Sequence, residues 1–264
     1  MVKKRLIGMI TVKGGWAVQS FGYQRYLPLG RPECLAENLD RWGADEIAVN
    51  VIDRSRQGLG PDFEVLGRIA ALGLSTPLVY GGGVRTAEDA ARVVAAGADR
   101  VSLDAVLRDN RDAVSTIADV IGAQAVIACV PVVPDPHGHG AFEWLDYRTK
   151  ERRSSAAMAD WLAPLIQQRH VSEVLLVDAT HDGDIGSFDL SLVDAFPIED
   201  VPLIAFGGAG QAETCASLLA HSKVSAVAIG NRLAYRELAI QQARLSVSEA
   251  DVRPPRFVTS VAGW

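Results

Sequence analysis

The chain has 264 residues, 48% hydrophobic and 22% charged, the balance of a globular protein rather than a disordered or fibrous one. Its net charge of −6 argues against duplex nucleic acid or an anionic membrane as the main partner, and no apolar run approaches the ~20 residues of a membrane span. Cys34, Cys129 and Cys215 are odd in number and widely spaced, which indicates neither a disulfide framework nor a zinc site. The basic N-terminus leads through a short apolar stretch to Lys13, which reads as a first strand and not a signal peptide, so a cytoplasmic protein is expected.

In chain order, short apolar runs predict strands over 5–12, 46–52, 77–80, 100–104, 124–130, 173–178, 202–206 and 225–229. Most lack polar alternation, as parallel strands covered on both faces do. Helical periodicity predicts helices over 32–42, 87–96, 109–121, 156–169 and 212–220. At 87–96, Thr86 precedes a first turn carrying Glu88 and Asp89, where the helix dipole favours negative charge. A polar segment over 131–153 follows the fifth strand and reads as a flap over the mouth, with Trp144 and Tyr147 as its anchors.

Eight such strand–helix units fit either a (β/α)8 barrel or a doubly wound open sheet. An internal repeat separates the two. Thr76-Pro77-Leu78-Val79-Tyr80-Gly81-Gly82-Gly83 recurs as Val201-Pro202-Leu203-Ile204-Ala205-Phe206-Gly207-Gly208, and Ala87-Glu88 recurs as Ala212-Glu213. Two halves of four units share one plan, so the expected fold is one α/β domain over 1–264, a TIM barrel built from two similar half-barrels.

Barrel chemistry sits at the carboxyl ends of the strands. Gly82 and Gly83 in one half and Gly207 and Gly208 in the other lie there, either as two anion cradles or as tight turns that simply need glycine. Gly230 and Asn231 follow the eighth strand beside the second pair. Asp178, His181, Asp182 and Asp184 cluster after the sixth strand, as acid–base groups or as a solvated turn. His137 and His139 lack a third ligand nearby, so no metal site is expected, and no cofactor. Arg5, Glu46, Arg100 and Glu173 each open a strand at the opposite end of the barrel, as mutually neutralising charges or as ordinary surface groups.

Taken together, several segments resemble the HisF family, the cyclase subunit of imidazole glycerol phosphate synthase, over nearly the whole length. They are Gly43-Ala44-Asp45-Glu46, Gly81-Gly82-Gly83-Val84-Arg85, Ala96-Gly97-Ala98-Asp99-Arg100-Val101-Ser102, Glu173-Val174-Leu175-Leu176, Asp182-Gly183 and Gly207-Gly208-Ala209-Gly210. The resemblance implies a (β/α)8 barrel that docks a HisH-like glutaminase on its lower face and carries ammonia through its core to the upper mouth. Arg5, Glu46, Arg100 and Glu173 then fall on the family's ammonia gate, with Arg100 in place of the usual Lys. Asp99 falls on the partner interface.

The mouth departs from the family. Its two catalytic aspartates end strands one and five, where this chain aligns Thr11 and Val130, and a third on strand two aligns with Val51, two residues before Asp53. Threonine and valine cannot serve as a carboxylate acid or base. Asp104 stands where the family has Asn beside a phosphate, and Phe206 replaces a small polar residue. Glycosyl amidation-associated relatives of the WbuZ type also lack the strand-one aspartate and share the pattern around Ile52-Asp53-Arg54-Ser55-Arg56.

Three functions remain open on these residues. The first is a glutaminase-paired ammonia conduit that serves amidation of a sugar or another small metabolite, with a small-molecule substrate or a sugar amidotransferase at its mouth. The second is the histidine-pathway cyclase, and the third a non-catalytic partner subunit. For chemistry at the mouth, Lys13, Asp178 and Asp182 are the candidates, with Thr11, Asp53, Asp104 and His181 lining it.

Overall fold

A computed structural model describes residues 3–136, 142–234, 239–247 and 251–254; His137 and His139 lie outside them. Eight parallel strands, β1 (Arg5–Lys13), β2 (Glu46–Val51), β3 (Leu78–Gly81), β4 (Arg100–Leu103), β5 (Val126–Pro134), β6 (Glu173–Asp178), β7 (Leu203–Phe206) and β8 (Val224–Ile229), pair each to the next. β8 pairs in parallel with β1, which closes the barrel and leaves no parallel edge. The (β/α)8 architecture expected from the repeat is the one observed.

The absence of polar alternation has a simple cause, since each strand has one face toward the lumen and one toward the helices. Along β1, Leu6, Ile10 and Val12 join the outer core, while Ile7 and Met9 join a separate lumen cluster. Gly8 points at a helix, where a Cβ would come within 2.7 Å of Leu39, so glycine lets the helix Pro32–Arg41 approach the sheet. Local signals fix the helix starts. Thr86 and Asp89 form a reciprocal capping box ahead of Ala87–Ala95, and the Asp62 side chain caps Phe63–Ala70.

Three local features refine or add to the expected plan. The helix expected over 109–121 begins at Arg111 and runs to Ile121, because Asn110 is extended (φ −149°) and caps it through Ala113 N at 3.0 Å; a separate short helix, Ala105–Asp109, precedes it. The span between β1 and the first helix folds as an antiparallel hairpin, Trp16–Phe21 with Arg25–Gly30. The segment after β5 is a meander: the end of β5 pairs with Phe142–Leu145, which pairs with Arg152–Ser154. Phe142 and Trp144 are fully buried, and Arg108 donates to the Trp144 carbonyl at 3.0 Å, so the segment is anchored by packing. Among the described residues, no helix is long and apolar enough to cross a membrane.

Candidate functional site at the two ends of the lumen

At the amino ends of the strands, four side chains meet across the barrel axis. Arg5 on β1 donates to both Glu46 on β2 and Glu173 on β6. Arg100 on β4 places Nη1 2.7 Å from Glu173 and 3.5 Å from Glu46, so positive and negative groups alternate around the floor. Ser225 accepts from Arg5 at 3.2 Å and donates to Glu173 at 2.6 Å, a part the sequence reading did not give it. Burial works against the Glu173 carboxylate, yet Arg5 and Arg100 outweigh it and hold its pKa below the ordinary glutamate range. Nearby, exposed Asp99 accepts from Leu78 N at 2.8 Å, and Asp45 does the same for Leu6 N, so each Gly-Ala-Asp turn clamps the start of a neighbouring strand.

Above the ring the lumen is apolar. Ile7, Met9, Val79, Leu175, Ile204 and Ala228 surround a cavity of about 20 Å3. That volume admits one molecule of water or ammonia size, for which ~10–15 Å3 suffices.

The upper layer of the lumen revises two alignments. Val130 and Val51 belong to the outer core under the helices, so neither faces the mouth. Pairing registers put Cys129 and Pro131 of β5 and Asn50 of β2 on the inner side, where they line the cavities. A one-residue shift in alignment exchanges the two faces of a strand, and these strands are apolar on both. The absence of a carboxylate at the end of strand five stands either way. Asn50, Ser102 and Cys129 are the polar groups that the sequence reading missed. Burial raises the Cys129 thiol pKa, and nearby Asp104 adds to that rise.

The mouth is capped from two sides. Tyr23, at the hairpin tip with φ +52°, packs onto the lumen cluster, and Tyr147 reaches in from the meander to donate to Asp104. Between them lies a second cavity of about 30 Å3. Lys13 is turned away from it: its side chain is exposed and its ammonium lies 3.8 Å from the Tyr26 ring centroid. Asp53 accepts from Gly14 N at 2.8 Å.

The two glycine turns share a backbone plan and differ in charge. A Cβ on Gly82 would lie 2.2 Å from the Val51 carbonyl oxygen, and one on Gly207 would lie 2.3 Å from that of Asp178. In both halves, glycine is required because the end of the neighbouring strand passes so close. At the first turn, Gly83 N donates to Ser55 Oγ at 3.1 Å, and Ser55 donates to Asp104 at 2.9 Å. Protein groups thus fill that cradle, with a carboxylate that would repel an anion at ~4 Å by about 1 kcal/mol in water and more when shielded. The second turn opens onto a cavity of about 30 Å3, lined by Gly183, Gly207, Gly208, Gly230, Asn231 and Arg232 among others.

After β6, Asp178 is buried and accepts from Thr180 N, His181 N and Asp189 N, and from the His181 ring at 2.7 Å. It therefore fixes the loop and the His181 ring. Asp182 accepts from Ser20 Oγ at 2.5 Å and Tyr23 N at 3.2 Å, while Asn231 holds both backbone groups of Ser20, so loop and hairpin lock together. Burial pushes the Asp182 pKa up to about 6, against the opposing bonds from Ser20 and Tyr23.

A proton is thus held more tightly in the folded state, and stability attributable to Asp182 falls as pH rises from the unfolded value near 4 through about 6. Asp182→Asn keeps an oxygen for Ser20 and removes the buried charge, so at pH ~8 it is expected to be more stable than the wild type by about 2 kcal/mol. Thermal melts across this range check it: the gap should close toward pH ~4, and a gap independent of pH would contradict the assignment.

Fold and site together define a (β/α)8 barrel with an ion-paired floor at the amino ends of its strands and polar groups at the carboxyl-end rim. The chain belongs to the histidine biosynthesis protein family, whose profile matches residues 5–239. Within that family it is HisF-like. It is similar to the imidazole glycerol phosphate synthase subunit HisF of Natranaerobius thermophilus, with 27% identity over 253 residues, 96% of this chain and 98% of the relative. The HisF of Caulobacter vibrioides is 29% identical over 253 residues, 96% of each chain. That of Dictyoglomus thermophilum is 31% identical over 215 residues, 81% of this chain and 83% of the relative.

Proposed function

We propose that this chain is an ammonia-conducting subunit that pairs with a glutaminase at its floor and supports glutamine-dependent amidation of a sugar or another small metabolite at its mouth. The observation that carries the reading is the closed ring of Arg5, Glu46, Arg100 and Glu173 directly beneath an apolar lumen. Neutral ammonia loses little on entering such a space, whereas an ammonium ion faces a heavy desolvation cost and two guanidinium groups. The mouth favours passage over standard cyclase chemistry, because β1 and β5 present Thr11, Cys129 and Pro131 there in place of a carboxylate pair.

A second reading, turnover of the cyclase's phosphoribosyl-formimino-carboxamide ribotide, draws support from Asp182, whose pKa of about 6 suits an acid–base group. One experiment separates the two. The chain is mixed with a HisH-type glutaminase, complex formation is followed by size exclusion with light scattering, and ribotide turnover is assayed with glutamine and with ammonium salt. The conduit reading expects a complex and no turnover from either nitrogen source. Ammonium-driven turnover that Asp182→Asn abolishes would install the cyclase reading, and absence of any complex would overturn the pairing.

A further inference from the structure

We infer that the upper end of the lumen binds a protonated amine, ammonium itself or the head of a primary amine, at the Asp104 carboxylate between Tyr23 and Tyr147. The inference deepens the preceding reading by giving nitrogen a binding site at the mouth. It rests on that reading only for the direction in which the lumen leads.

The cavity between the two tyrosines, of about 30 Å3, has room for a group of ammonium size, for which ~10–15 Å3 suffices. Among the described residues that line it, Asp104 is the one charged side chain. Burial keeps the Tyr23 and Tyr147 phenols and the Cys129 thiol protonated by raising their pKa values. Asp104 accepts one hydrogen from Ser55 and one from Tyr147, which leaves acceptor capacity on a carboxylate with about four lone-pair sites. No cation among the described residues pairs with it. Arg148 is bound to Asp109 and Asp146, Arg54 donates to the Gly60 carbonyl, and Lys13 is turned to the Tyr26 ring. A half-buried carboxylate with only hydroxyl partners carries a charge that a cation would compensate.

The groups around the carboxylate suit an amine in particular. Asn50 lines both this cavity and the one below it, and its amide has no hydrogen-bond partner among the described residues. Its carbonyl is a second acceptor for the N–H groups of an ammonium. The Tyr23 and Tyr147 rings add aromatic faces, which attract a cation through their quadrupoles. An ammonium donates directed hydrogen bonds to so few oxygens, whereas potassium needs a fuller shell of them to replace its water. The cation enters from the mouth, since the Arg5 and Arg100 guanidiniums stand across the floor. The two ends of the lumen thus differ: the floor opposes a positive charge and the mouth accepts one.

Thermal melts of the full chain without glutaminase test this apart from conduction. The probes are ammonium, methylammonium, potassium and tetramethylammonium chloride at matched ionic strength. Ammonium should raise the midpoint above that in tetramethylammonium, which is too large for the cavity, and the concentration dependence of the rise gives an affinity. Asp104→Asn should weaken that affinity by about tenfold or more, and Tyr23→Leu, which keeps an apolar cap, by about two- to fivefold. Asparagine still accepts from Ser55 and Tyr147, and each variant is referred to its own melt in tetramethylammonium. An equal gain from methylammonium would assign the site to the head of a primary amine, and a gain from ammonium alone would assign it to ammonium itself. The inference is overturned if ammonium acts no better than tetramethylammonium, if potassium acts as well as ammonium, or if Asp104→Asn keeps the full response. Glutaminase plays no part in these melts, so their failure and a failure of the conduit reading are separate results.

Discussion

Arg5→Met is expected to lower the stability of the barrel by about 3–5 kcal/mol, the usual consequence of removing one partner from a buried ion network. Arg5 donates to both Glu46 and Glu173 through separate guanidinium nitrogens, and all three are buried. Without it, two carboxylates share Arg100, which lies 2.7 Å from one and 3.5 Å from the other, and a net negative charge is left in the floor. At roughly 2–4 °C per kcal/mol for a chain approaching this size, the midpoint should fall by about 6–20 °C. Adding Glu46→Gln should recover much of the loss, because it restores the charge balance without emptying the space.

The pH dependence has a definite sign. The Glu173 pKa is depressed in the folded state, so its stabilising contribution is present above the ordinary glutamate range. That contribution is lost as pH falls through the lowered folded value. Arg5→Met weakens the depression, and the deficit of the variant should shrink toward acid pH. Urea unfolding over a pH series measures both effects. A loss under about 1 kcal/mol would mean that the floor behaves as a surface ion pair, open to water.

Gly82→Ala should cost about 3 kcal/mol or more, and Gly207→Ala a comparable amount, whereas Gly15→Ala should cost about 1 kcal/mol. The contrast isolates close approach from backbone conformation. All three have positive φ, at +114°, +101° and +78°. At Gly15 nothing lies within 4 Å of an added Cβ, so only the strain is felt. At Gly82 and Gly207 the added carbon meets the carbonyl oxygen of Val51 or Asp178 at 2.2 or 2.3 Å, and that oxygen belongs to the end of the neighbouring strand and cannot rotate away. Urea midpoints at constant slope provide the comparison. If Gly82→Ala stayed within about 1 kcal/mol of wild type, the turn would have to be far more yielding than its packing implies.

The same two turns show what a sequence can and cannot convey. Their glycines were visible, and so was their repetition, which separated a closed barrel from an open sheet. Their anion-binding reading was not decidable, because glycine serves a phosphate and a close strand crossing equally well. The partners decide it: Ser55 and Asp104 fill the first cradle, and both come from loops well apart in the chain. Thr86 and Asp89 were likewise legible as a helix start, since a capping box is local. The hairpin over 16–30 was not, because its residues between Lys13 and Pro32 carry no clean alternation, and Tyr23 reaches the lumen only through contacts made after folding.

By itself, then, the sequence determined the (β/α)8 plan, the HisF-like membership and the charged residue types at the strand starts, since strand length, helix caps and repeated glycine turns are properties of short segments. Tertiary structure alone decided which side chains look into the lumen, moving Val51 and Val130 outward and bringing Asn50 and Cys129 inward. The reason is physical: a barrel strand is apolar on both faces, so its residues carry no mark of which face is which until closure assigns one to the helices and the other to the axis.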